Sequence, residues 1–256
     1  MSSFTIAVVA EGATDHVVIE AALKAMIPGD LYVPLLQPEP TPGRQQGWCG
    51  VFEWCRQYRQ VAGGNLEDNP LLTARTLDLL VLHLDSDVAE KEYTDCSEEI
   101  AAEAAALGTL PCIDPCPPPC PPVQPPTDAL AVVLRSWLSP ATIGPRTVIC
   151  IPSKAIESWV AAALPDDSGI QIQGDIECDP DMPARLEPLR NDLAVKRKWI
   201  REKRRKRKLR PEYQKHAPRI TAEWSRICER CSQARRFHED VLSAIAYLES
   251  GKDSSR

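Results

Sequence analysis

Four carboxylates follow apolar runs that stop abruptly. The stretch "IAVVAEGATDH", residues 6–16, ends its hydrophobic run at Glu11-Gly12, and "LDLLVLHLDSD", residues 77–87, ends at Asp85-Ser86-Asp87. A third run, "RTVICIP", leads through "SKAIESWVAAAL" to Glu157. Placing like charges together gains a folded chain nothing, so a positive group is expected between them. In an open parallel sheet, ligands gather beyond the carboxyl ends of the strands. If the three runs are strands of one such sheet, Glu11, Asp85, Asp87 and Glu157 share an edge. Carboxylate oxygens on rigid strand ends suit Mg²⁺ or Mn²⁺, with water and a substrate phosphate completing the octahedron. A local bend in Asp-x-Asp would turn both side chains to one ion. Lys154 could steady a phosphate, or simply pair with Glu157 or an Asp. His16 sits beside these acids, and His216 and His238 carry no signal.

The elements that would hold these acids can be read from periodicity. Residues 4–10 are short, β-branched, apolar and bounded by a glycine, which predicts a buried strand. In "TDHVVIEAALKAM", Val17, Val18, Ala21, Ala22 and Ala25 recur at helical spacing. Thr14 or Asp15 would cap that helix, and Asp15 would favour its positive end. "LYVPLLQ" reads as a second strand, "PEPTPGRQQGWCG" as a loop, and "VFEWCRQYRQVA" as a helix. The run Leu77–Leu84 is apolar on both faces, as expected for a central strand covered on both sides. His83 within it reads as a satisfied interior imidazole. "SEEIAAEAAAL" is a helix capped by Ser97. Residues 111–126, "PCIDPCPPPCPPVQPP", cannot be helix or inner strand, because proline fixes φ and has no N–H. They predict a stiff, polyproline-like surface excursion. "DALAVVLRSWL" is helical, "RTVICIP" is a fourth strand, and the helix "SKAIESWVAAAL" turns Ile156 and Trp159 to the core.

Beyond about residue 185 the strand pattern ends and only helical patterns remain, with Pro211 and Pro218 as breaks. Strands alternating with helices give an α/β fold: a mainly parallel sheet flanked by helices, followed by a C-terminal helical subdomain. The expected division is residues 1–184 for the α/β domain, with an insertion at about 111–126, then 185–250 for the basic helices and 251–256 for a frayed tail.

With 256 residues and 43% hydrophobic content the chain can build a large core. No run of eighteen apolar residues exists, which excludes a membrane-spanning helix. The first residues lack the basic region and small-residue cleavage site of a secretory signal, and their apolar part is too short for one, so a cytoplasmic location is expected. Most of the ten cysteines are then expected to be reduced. Cys112, Cys116 and Cys120, and the Cys228-x-x-Cys231 pair, have spacings that zinc can use; thiols without metal are the other reading.

The net charge of −6 conceals a segregation. Lys196, Arg197, Lys198, Arg201, Lys203, Arg204, Arg205, Lys206, Arg207, Lys208 and Arg210 form a run with Glu202 as its single acid, which leaves −16 on the rest of the chain. Such a run neutralises phosphates and releases counterions, which points to nucleic acid. A solvated helix face paired with the acidic body satisfies the same charges, and the sequence leaves both open. Lys215 has the same ambiguity. Trp199, inside the run, either stacks on a base or joins the core. The turn "AEGATD" has one glycine and an acid where a phosphate cradle needs amide donors, which excludes a P-loop.

"VVAEGATDHVVIEAAL" followed by "LLVLHLDSD" resembles the Toprim domain, the metal-binding fold of topoisomerases, primases and OLD-family nucleases. In that pattern a Glu-Gly follows the first strand and an Asp-x-Asp follows a later one. The nearer likeness is to RloB-like proteins, Toprim-fold proteins of unassigned function found beside bacterial defence genes. These tend to carry an "IP…IE.W" segment, here "IPSKAIESWVAAAL", and a Tyr/Lys element, here "EYQKHAPRIT". The resemblance covers residues 4–36 and 77–90, and more loosely 147–164 and 211–248. It implies a Toprim-like sheet, Glu11 as general acid/base or metal ligand, and Asp85 and Asp87 as metal holders. The Pro/Cys excursion and the basic run lie outside it.

Together these readings predict a Mg²⁺- or Mn²⁺-dependent nuclease, hydrolysing DNA or RNA in anti-phage defence. Glu11, Asp85, Asp87 and Lys154 would be catalytic, and Glu11, Asp85, Asp87 and Glu157 would hold metal. The alternative is a non-catalytic nucleic-acid-binding or sensor/effector subunit of a defence complex that partners an ATPase. Either form could be a homo-oligomer.

Overall fold

The computed structural model describes residues 4–38, 45–60, 64–74, 76–105, 123–165, 168, 174–179, 181–186 and 210–253. Strand β1 (Phe4–Val9) leads through Gly12 into helix α1 (Ala13–Met26), and β2 (Leu31–Tyr32) and β3 (Leu35–Gln37) follow. The expected single strand "LYVPLLQ" is divided at Val33-Pro34, where proline has no N–H to give a ladder. The Pro34 carbonyl still accepts from Val8 N at 2.9 Å, so both pieces line the same flank of β1. Helices α2 (Trp48–Tyr58) and α3 (Pro70–Thr73) precede β4 (Leu79–His83). Helix α4 (Glu98–Ala104) is capped by Ser97, whose Oγ accepts from Ile100 N at 3.1 Å. Helix α5 (Gln124–Leu138), β5 (Thr147–Cys150), α6 (Glu157–Ala163) and α7 (Met182–Arg185) come next. The described chain ends with α8 (Arg210–Ala222), α9 (Trp224–Arg230) and α10 (Ser232–Asp253).

The five strands form a sheet of order β2-β1-β4-β5, with β3 also on β1, and every pairing is parallel. The fold is therefore the expected α/β arrangement of a parallel sheet flanked by helices, followed by a helical C-terminal region. Side chains alternate along each strand and divide the core in two. Phe4, Ile6, Val8, Leu79, Val81 and Val148 face α1, α6, α8, α9 and α10, where Trp159, Trp224 and Phe237 form an aromatic cluster. Ala7, Val9, Leu80 and Leu82 face α2, α4 and α5, where Trp48, Phe52, Tyr93 and Trp137 pack. The described C-terminal helices thus share one apolar cluster with the sheet. All five Trp among the described residues are buried. None of the described helices is long and apolar enough to cross a membrane.

Several expectations need correction. The cap of α1 is Gly12, with no side-chain bond; Thr14 and Asp15 already lie inside the first turn. Gln124, Pro125 and Pro126 belong to α5 and not to a proline excursion. The first helical turn leaves its N–H groups unbonded anyway, so prolines fit there. The "SKAIESW" segment begins its helix at Glu157, after a turn in which Lys154 adopts φ 57°. Pro211 lies in the first turn of α8, and Pro218 lies within that helix and does not break it. Proline removes one ladder bond there. Burial of Tyr213 and Ile220 against the core, and the Thr221 Oγ1 bond to Ala21 O at 2.8 Å, outweigh the loss. The expected tail begins later, because α10 runs to Asp253. Cys49 and Cys96 form a disulfide and Cys178 is also disulfide-bonded, whereas Cys55, Cys150, Cys228 and Cys231 are free thiols. Cys112, Cys116 and Cys120 lie outside the described residues.

Candidate functional site

Parallel strands carry their carboxyl ends to one edge, and the acids arrive there as the topology requires. Glu11 leaves β1 and its Oε1 accepts from Asp85 N, beyond β4, at 2.7 Å. Asp85 is extended (φ −72°, ψ 143°), and a tight 3-10 turn, Ser86–Glu90, follows at once and supplies the expected bend in Asp-x-Asp. Gly47 N donates to the Glu11 carbonyl at 3.0 Å, which brings the start of α2 to the same edge. A cleft of about 560 Å³ results, lined by Glu11, Gly12, Thr14, Asp15, Gly47, Asp85 and Arg210. Asp15 is a member that periodicity did not single out for chemistry. At the third position of α1 it turns inward and is 2% exposed. Arg210, at the start of α8, supplies a positive charge to this otherwise acidic cleft.

The loop carrying Asp85 and Asp87 is held mainly by main chain from the segment after β5. Ser86 N donates to Pro152 O at 3.0 Å and Asp87 N to Lys154 O at 3.2 Å. Lys154 N donates to Ser86 Oγ at 2.6 Å, and Ile156 N to Asp85 Oδ1 at 2.9 Å. The left-handed backbone of Lys154 makes these bonds possible, a conformation that a non-glycine residue adopts only when its surroundings enforce it.

The electrostatics follow from this crowding. Burial first, then the charges of Asp85, Asp87 and Asp15, push the Glu11 carboxyl well above the ordinary glutamate range, against the lowering effect of the Asp85 N–H. A carboxyl of this kind keeps its proton to a higher pH than a free glutamate does, which suits it to carry a proton. His16 is pushed the other way, chiefly by burial, while its Nε2 bonds Val33 O at 2.8 Å. His83 is fully buried, and its Nε2 lies 3.4 Å from Asp85 Oδ1.

The remaining sequence-derived candidates separate. Glu157 is completely buried and its Oε1 accepts from the Tyr213 hydroxyl, tying α6 to α8. Lys154 directs its Nζ to Glu90 Oε1 at 2.9 Å, not to Glu157 or to Asp85 or Asp87. Lys215 pairs with Glu212 at 3.0 Å on an exposed turn of α8. Lys196, Arg197, Lys198, Trp199, Arg201, Lys203, Arg204, Arg205, Lys206, Arg207 and Lys208 lie outside the described residues.

The donor set at the cleft fits a hard divalent cation in kind: every candidate ligand is a carboxylate oxygen, and burial together with mutual repulsion already raises the pKa of one of them. Among the described residues no three His, Cys, Asp or Glu side chains stand in ligand positions around one point, the Cys228/Cys231 pair included. Set against known proteins, the chain matches no protein-family model, no curated protein and no solved structure.

Proposed function

We propose that the chain is a divalent-cation-dependent nuclease of Toprim-like type, hydrolysing phosphodiester bonds of DNA or RNA. One observation carries this reading: the Glu11 carboxyl, from the tip of β1, accepts from Asp85 N beyond the tip of β4, in a crowd where burial first and then Asp85, Asp87 and Asp15 raise its pKa. Asp85 and Asp87 would hold Mg²⁺ or Mn²⁺, with Glu11 beside them. A divalent ion at such a site supplies charge to the scissile phosphate and makes a bound water a better nucleophile. The protein's own part is positional. The Ile156 N–H and the Lys154 carbonyl fix the two aspartates. Glu11 takes or gives a proton at Oε, and Arg210 meets the phosphate at the mouth of the cleft. The basic run from Lys196 would bind nucleic-acid backbone without reading bases. A cytoplasmic place in anti-phage defence and self-association belong to the same proposal, and an ATPase partner to the second reading.

A second reading, a non-catalytic subunit that binds nucleic acid, is favoured by one observation: Glu157 is engaged by Tyr213, and no third ligand completes the acidic site among the described residues. Incubating the purified protein with labelled DNA and RNA in Mg²⁺, Mn²⁺ or EDTA separates the two. Cleavage that needs the cation and disappears in Asp85→Ala/Asp87→Ala is the expected result. Cleavage that survives the double substitution refutes the nuclease, and no cleavage of either substrate favours the subunit.

A further inference from the structure

In β4, "LLVLH", His83 is the single polar residue, and it is as buried as the leucines beside it. By strand alternation it shares a face with Leu79 and Val81, which pack into the apolar core. Leucine at 83 would match that pattern and bury no polar atom. Among the described residues neither ring nitrogen completes a hydrogen bond. An imidazole left in that state inside a core costs stability and needs a reason. The geometry supplies one: two residues along the strand, Asp85 Oδ1 is 3.4 Å from Nε2, slightly beyond the roughly 2.7–3.2 Å of a formed N–H···O bond.

We propose that His83 is a positioning residue for Asp85. Its Nε2–H anchors Oδ1 from inside the core, and Ile156 N anchors the same oxygen from the side at 2.9 Å, so that Oδ2 is left for the cleft that Asp85 lines. Both anchors act on one oxygen, and together they fix the carboxylate plane. A ligand held in one rotamer loses less freedom when it binds a cation, which is how groups behind a metal ligand raise affinity without touching the metal. The inference rests on the cation reading of the cleft and names a residue that neither Glu-Gly nor Asp-x-Asp contains.

The test measures Mn²⁺ binding by titration calorimetry on the full chain, for the parent, His83→Leu, His83→Gln and Asp85→Ala, with thermal melting of each. The expected result for His83→Leu is affinity lower by about 10–100-fold with an unchanged or raised melting temperature. His83→Gln keeps an N–H donor and is expected to recover most of the affinity. Binding by His83→Leu as tight as the parent's, with loss confined to Asp85→Ala, overturns this inference alone. A parent that takes up no Mn²⁺ overturns the cation reading and this inference with it. Should His83→Leu not fold, the ¹⁵N spectrum of the parent's imidazoles decides instead: a proton on Nε2 is expected, and a proton on Nδ1 alone overturns the proposal.

Discussion

Replacing Glu11 with glutamine isolates the electrostatic strain of the cleft. Glutamine keeps an Oε1 that can accept from Asp85 N, now at 2.7 Å, but it has no charge to set against Asp85, Asp87 and Asp15. In the native chain burial and those three acids hold the Glu11 carboxyl well above its ordinary value of 4.5. Between that value and the raised one, the folded chain keeps a proton that the unfolded chain has released. Stability contributed by this group is therefore present below pH 4.5 and is lost as pH rises to the folded value, after which it is level. One proton of difference gives a slope of at most about 1.4 kcal/mol per pH unit inside that window. The assay is urea unfolding followed by tryptophan fluorescence at steps from pH 4.5 upward, for the parent and Glu11→Gln, without divalent cations. Glu177 and Asp240 are also raised, and His16 and His216 lowered, chiefly by burial, but these groups are common to both proteins and cancel in the difference. The difference curve is expected to rise with pH in favour of the variant. Parallel curves would mean that Glu11 is under neither the burial nor the repulsion described, and the reasoning about the cleft would fail with it.

Two structural predictions accompany the tests of Asp85/Asp87 and His83. Glu177 is 2% exposed and its carboxylate accepts from Ser232 N (2.6 Å), Ser232 Oγ (2.7 Å) and Gln233 N (2.9 Å), which caps α10 from a distant segment. Glu177→Ala is expected to lose at least about 1.5–3 kcal/mol in urea unfolding; a loss below about 0.5 kcal/mol would show that water replaces the cap freely. The Cys49–Cys96 bond closes a separation of 47 residues. In the chain-entropy account, Cys49→Ala/Cys96→Ala is expected to cost between about 3 and about 4.7 kcal/mol, read from the same unfolding curves, and an unchanged midpoint would contradict it.

The edge that gathers Glu11, Asp85 and Asp87 was legible because one physical cause produces both signals: buried strands are apolar, and the first charged residue after them marks where they reach solvent. The strand–turn–helix unit around Gly12 and the helix after Ser97 were legible for the same local reasons. What escaped depended on partners remote in sequence. Glu157 looked like a member of the acidic edge, but Tyr213, 56 residues on, takes its carboxylate. Asp15 read as a cap because Thr and Asp favour that role, yet Gly12 occupies the cap position and Asp15 turns into the cleft. Helical Pro218 depends on packing against α1, and cysteine pairing is not encoded in spacing. His83 read as satisfied because most buried imidazoles are; its contact with Asp85 is a matter of tenths of an ångström.

The support of the Asp85–Asp87 loop comes largely from peptide atoms of residues 152–156, with Ser86 lending its hydroxyl. Peptide groups are the same whatever side chain they carry. That stretch can therefore drift in composition, Pro152 and Lys154 included, provided each replacement accepts the local backbone angles. It cannot drift in length: one residue gained or lost would slide carbonyl and amide out of step with their partners and unseat both aspartates together. Spacing, more than spelling, is what this connection between β5 and α6 has to preserve.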